Sequence, residues 1–127
     1  MSDKKKILVI EDDHLIMKHL VELLCVEGFD AVGVGDGAQA VEQAHTTCPD
    51  LILCDILLPG MDGYGVLNKI RDNPDTAGVR FAFLTARSQE NQIRSALAMG
   101  ADGYLTKPFN VPSLLRLIHH LLEPGRV

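Results

Sequence analysis

The run LILCD (51–55) ends on Asp55, and the residues that follow, ILLPGMDG (56–63), have the proline and glycines of a turn. A carboxylate at the tip of an apolar strand is held still, as a nucleophile or a ligand must be. Three more acids, Glu11, Asp12 and Asp13, follow the run KILVI (6–10). Thr85 follows RFAFL (80–84), and Lys107 follows GYLT (103–106). If these runs are parallel strands of one sheet, then acids, a hydroxyl and an ammonium converge at one edge from distant parts of the chain.

Carboxylates held together repel one another unless a cation compensates. The donors are all hard oxygens, which makes Mg²⁺ the natural candidate. A carboxylate beside such an ion can attack phosphorus and form an aspartyl phosphate. Phosphoryl transfer needs mainly positioning and charge neutralisation. Lys107 and the cation would supply positive charge, and Thr85 a hydroxyl donor.

The elements that must position these groups can be read from periodicity. KILVI (6–10), DAVGV (30–34), LILCD (51–55), RFAFL (80–84) and GYLT (103–106) read as strands, several almost wholly apolar, as parallel strands covered on both faces are. Amphipathic stretches alternate with them. The first helix is expected from about His14 to Glu27, with Ile16, Leu20, Leu23 and Leu24 at helical spacing and Gly28 as its stop. The second opens near Asp36, and the third runs from about Tyr64 to Arg71, before Asn73-Pro74. The fourth follows Ser88 as N-cap with Ile93, Ala96 and Leu97 inward, and the fifth follows Asn110, with Pro112 in its first turn. Asp13 and Asp36 read as caps. Five βα units imply a doubly wound α/β domain, whose site lies beyond the carboxyl ends of the strands.

The chain length of 127 residues suits one domain, expected over 1–122, with 123–127 as a tail or the start of a linker. A net charge of −5 argues against a general nucleic-acid binder. No apolar stretch reaches membrane-spanning length, and MSDKKKILVI lacks the apolar core of a signal peptide. Cys25, Cys48 and Cys54 form no CxxC pair and read as reduced, mostly buried thiols of a cytoplasmic protein. The histidines show no zinc-ligand spacing.

ILVIEDD (7–13), DILLPGMDG (55–63), FLTA (83–86) and GYLTKPF (103–109), in that order and at strand ends, make the chain resemble the receiver domain of bacterial two-component response regulators. The resemblance implies a flavodoxin-like, CheY-like (βα)₅ fold with strand order 2-1-3-4-5. It implies that Asp55 is the phosphoacceptor, and that Glu11, Asp12, Asp55 and the backbone carbonyl of Leu57 hold Mg²⁺. Thr85 would be the switch hydroxyl, Tyr104 the rotating aromatic, Lys107 the site lysine, and Lys107–Pro108 a cis peptide. Its phosphodonor would be a sensor histidine kinase, a phosphotransfer protein or a small phosphodonor. Its output would run through the fourth helix, fifth strand and fifth helix to an output domain, a partner protein or a second copy. No direct contact with nucleic acid or membrane is implied. Leu57 and Arg87 fall where the family tunes phosphate loss, and an apolar Leu57 points to slow dephosphorylation.

GVGDGA (33–38) also fits G-x-G-x-x-[GA], so a dinucleotide-binding protein is the rival reading. It follows the second strand rather than the first, and Asp36 would put negative charge where pyrophosphate docks. An aspartyl-nucleophile phosphatase would want an acid two residues after Asp55, where Leu57 stands. In the fifth helix, Leu115, Ile118 and Leu122 are expected against the sheet. Leu114, Leu117 and Leu121 would then form a second stripe, covered by a neighbour or open to a partner. The stretch around the fifth strand is poor in the charge pairs of the family's winged-helix transcription factors. After Leu122 only EPGRV remains, as expected of either a stand-alone receiver or a fragment of a longer regulator.

Overall fold

The computed structural model describes residues 4–86 and 93–123. Five strands, β1 (Lys6–Ile10), β2 (Asp30–Val34), β3 (Leu51–Asp55), β4 (Arg80–Ala86) and β5 (Gly103–Lys107), alternate with five helices. These are α1 (His14–Val26), α2 (Gly37–Thr47), α3 (Gly63–Asp72), α4 (Ile93–Ala98) and α5 (Val111–Leu122). The sheet runs β2-β1-β3-β4-β5 with every neighbouring pair parallel. This is the expected doubly wound arrangement.

Strand residues alternate between two apolar layers, as the pleat requires. Leu8, Ile10, Ile52, Cys54, Phe81 and Phe83 pack with α2, α3 and α4 through Ala40, Ala44, Val66, Leu67, Ile70 and Ala96. Ile7, Val9, Leu51, Leu53, Ala82 and Leu84 pack with α1 and α5 through Leu20, Leu24, Leu114, Ile118 and Leu121. Side-chain oxygens start four helices: Asp13 accepts from the N–H groups of Leu15 and Ile16, Asp36 from Gln39, Asp62 from Gly65, and Asn110 from Ser113. Each satisfies donors that a helix start leaves unpaired.

Several expectations need correction. The buried stripe of α5 is Leu114, Ile118 and Leu121, while Leu115, Leu117 and Leu122 are partly buried. The phase is decided by β5, where Gly103 leaves room: a Cβ there would meet Leu117 at 3.1 Å and Leu121 at 3.7 Å. In α4, Ala96 is buried but Leu97 is exposed, and in α1 Ile16 is exposed. Both helices cover the sheet with a narrower face than the apolar spacing offers. Of the thiols only Cys54 is buried; Cys25 and Cys48 are exposed. β4 extends to Ala86 and β5 to Lys107, so Thr85 and Lys107 are strand residues. Ser88 and Arg87 lie outside the described residues.

At the edge opposite Asp55, Arg71 ties α3 to its neighbours. Its guanidinium donates to the carbonyls of Gly100, Ala77 and Val79 and pairs with Asp102 at 2.9 Å. The Asp102 carboxylate also accepts from the N–H of Phe81. α3, β4 and the α4–β5 turn are thereby joined.

Candidate functional site

Glu11 directly follows β1, and its N–H donates to Val34 O, extending the ladder by one residue. Asp55 ends β3 in register with Leu84, so Thr85 stands one residue further along the adjacent strand. Lys107 pairs with Ala86 on the far side. The sheet thus brings Glu11, Asp12, Asp55, Thr85 and Lys107 to one edge.

Lys107 bridges two strands. Its Nζ donates to Glu11 Oε1 at 2.8 Å and to Asp55 Oδ2 at 3.0 Å, residues 96 and 52 positions away in the chain. Glu11 is 2% exposed, and its Oε2 accepts from the N–H of Asp13 at 3.1 Å. Burial raises the Glu11 carboxyl above the ordinary glutamate range, outweighing the bonds from Lys107 and Asp13 that oppose it. At Lys107 burial pulls down, but the hydrogen bonds and charges of Glu11 and Asp55 prevail, so the ammonium is held more firmly than usual. The site is therefore an ion-paired cluster with two sources of negative charge on one cation.

One oxygen each from Glu11, Asp12 and Asp55 lie within 4.8 Å of one another, and among the described residues this is the only such acidic group. Hard carboxylate oxygens at this spacing, one of them solvent-facing on Asp12, suit a small divalent cation that keeps waters. Thr85 is fully buried. Tyr104, in register with Phe83, is 42% exposed, and Leu57 is 63% exposed at the start of the β3–α3 loop. The Lys107–Pro108 peptide is cis. Arg87 lies outside the described residues. Burial, then the charges of Asp55, Glu11 and Asp62, push the Cys54 thiol well up, so it is no nucleophile despite its position beside Asp55.

Two contributions were not read from the sequence. The Asp13 N–H orients Glu11, which no side-chain pattern reveals. Gly63 abuts the Asp55 backbone, of which the Asp-Gly pair at the helix start was the only trace. In GVGDGA, Asp36 Oδ1 accepts from the N–H of Gln39 at 2.8 Å, so the start of α2 is occupied by its own carboxylate. The segment also begins on the last two residues of β2, one of the two edge strands of the sheet.

Comparison with known proteins agrees with this geometry. The family model described as the response regulator receiver domain matches residues 7–119. The DNA-binding response regulator MtrA of Mycolicibacterium paratuberculosis is 38% identical over 120 residues, covering 94% of this chain and 52% of that protein. The chain thus spans about half the length of the curated relatives it matches, and the DNA binding in that name is said of the relative. The chemotaxis protein CheY4 of Vibrio cholerae superposes with a TM-score of 0.88 at 26% identity, covering 94% of this chain and 99% of that one. The receiver domain of a Pseudomonas aeruginosa PAO1 sensor histidine kinase, solved with a magnesium ion coordinated in its active site cleft, superposes at 0.85 with 31% identity, covering 94% and 98%. With an acidic cluster and a lysine at the carboxyl edge of a CheY-like sheet, and a family match over most of its length, the chain belongs to the response regulator receiver domains of two-component signalling.

Proposed function

We propose that Asp55 accepts a phosphoryl group from the phosphohistidine of a sensor histidine kinase or phosphotransfer protein, or from a small phosphodonor. A partner then reads the modified chain through α4, β5 and α5. The observation that supports this best is the Lys107 ammonium held against both Glu11 and Asp55 in a chain of this family. An Asp55 carboxylate oxygen attacks phosphorus as the bond from phosphorus to the donor atom breaks. With phosphohistidine the departing ring nitrogen keeps the bonding pair and the imidazole leaves neutral, its other ring nitrogen already carrying a proton; with an acyl phosphate the carboxylate leaves. Lys107 neutralises charge on the incoming group without leaving Asp55. Glu11, Asp12, Asp55 and the backbone carbonyl of Leu57 would hold Mg²⁺, which when bound supplies further positive charge to the transferring group. The magnesium-containing cleft of the Pseudomonas relative supports that assignment.

Thr85 then donates its hydroxyl to the phosphoryl oxygens, and Tyr104 turns from its half-exposed position toward the sheet beside Phe83. The added charge biases a two-state element, and the face of α4, β5 and α5 changes for an output domain, a separate protein or a second copy. Residues 1–122 form the phosphoacceptor unit, working in the cytoplasm. No helix among the described residues is long and apolar enough to cross a membrane.

The test is intact mass after incubation with phosphoramidate or acetyl phosphate, with and without Mg²⁺, for wild type and Asp55→Asn. A Mg²⁺-dependent gain of one phosphoryl group, absent in the variant, is expected. No gain under any condition would overturn the reading.

A further inference from the structure

We propose that Gly63, the first residue of α3, is a positioning residue for Asp55: the peptide that follows the acceptor rests directly against it, in space that no side chain can share. The inference rests on the phosphoacceptor reading above. A Cβ built on Gly63 would stand 2.5 Å from Asp55 O, 2.9 Å from Ile56 Cα and 3.0 Å from Phe83 Cε1. Two of these obstructions are backbone, and the third belongs to a fully buried ring. None can swing aside as a surface side chain can. Gly63 is not among the residues with positive φ, so close approach, rather than backbone conformation, is what excludes a side chain.

The approach is clamped. The Gly63 N–H donates to Ile56 O at 2.8 Å and closes the neck of the β3–α3 loop, while Asp62 caps the helix by accepting from the N–H of Gly65 at 2.9 Å. Both Asp55 and Leu57, the latter with the carbonyl assigned to the cation, therefore take their positions from the start of α3. A group added at Gly63 must displace the Asp55–Ile56 peptide, and with it the carboxylate. Gly65, two residues along the same helix, is a matched contrast: its nearest obstruction is Met61 Cγ at 2.7 Å, on a flexible side chain.

The experiment compares phosphorylation rates at saturating phosphoramidate and Mg²⁺, well below the melting temperature, for wild type, Gly63→Ala and Gly65→Ala. Mg²⁺ affinity and near-UV circular dichroism are recorded on the same samples. Gly63→Ala is expected to stay folded and to lose about tenfold or more in rate, because small misplacements of a reacting group are costly; Gly65→Ala should stay within about twofold of wild type. A role confined to helix packing would lower the melting temperature and leave the saturated rate unchanged. If Gly63→Ala does not fold, Asp62→Ala and Asp62→Asn decide the matter. Loss of the cap loosens the seat of Gly63 and should slow the reaction severalfold, and asparagine, itself a good cap, should restore it. A folded Gly63→Ala that reacts within twofold of wild type overturns the inference alone, as does an Asp62→Ala of wild-type rate. A wild type that gains no phosphoryl group overturns it together with the reading of the site.

Discussion

Lys107 is the residue on which the charge balance of the site turns. Its folded pKa is raised, so the stability it contributes is fully present below lysine's ordinary 10.5 and is lost only as pH rises through the higher folded value. In Mg²⁺-free buffer, Lys107→Met should melt at a lower temperature than wild type, with a constant gap up to about pH 10.5 that narrows above it. Thermal melts from pH 7 to 11.5 check this, and a gap that closes near neutrality would contradict it. The thiols offer a second check. Native protein treated with iodoacetamide should be alkylated at the exposed Cys25 and Cys48 and spared at Cys54, as read by peptide mass. Leu57 supplies a third. Its side chain is 63% exposed, so Leu57→Asn should leave folding nearly unchanged while accelerating phosphate loss severalfold, followed as the decay of the phosphorylated mass. Residue types at the strand ends were legible because catalysis needs particular functional groups. The burial of each thiol was not, because cysteine reads as apolar wherever it falls.

At the level of elements, α5 shows how far periodicity reaches. The five leucines and one isoleucine in VPSLLRLIHHLL allow two stripes about a quarter-turn apart, and nothing local prefers one. Gly103 on β5 settles the matter by accepting Leu117 and Leu121 at close range, which turns Leu114 and Ile118 inward. Leu114→Ala should therefore cost about 2–5 kcal/mol of folding stability, and Leu115→Ala about 1 kcal/mol or less, as measured by urea unfolding. The reverse ranking would restore the stripe expected from sequence. Helix starts were more legible than helix faces. Asp13, Asp36 and Asn110 cap where they were expected to, because a cap is a bond between a side chain and a backbone group two or three residues away.

For the molecule as a whole, Arg71 holds the edge of the sheet opposite the acceptor, with its side chain 20% exposed and bonded to three carbonyls and one carboxylate. Arg71→Ala would leave those acceptors short of a donor and Asp102 with only the longer 3.5 Å contact to Arg80 as an ion pair. It should lower stability by about 2–4 kcal/mol in urea unfolding without removing any group from the acceptor edge. The sequence by itself determined the alternation of strands and helices, the doubly wound class and the residues at each strand end. These follow from periods of two and 3.6 residues and from side chain to backbone bonds within one turn, all properties of a few consecutive positions. Only the tertiary structure decided that Lys107 bridges Glu11 and Asp55, which face of α5 is buried, and that Gly63 presses on the Asp55 peptide. Each of those depends on the distance between segments that meet only when the sheet has formed, and local pattern contains no measure of that distance.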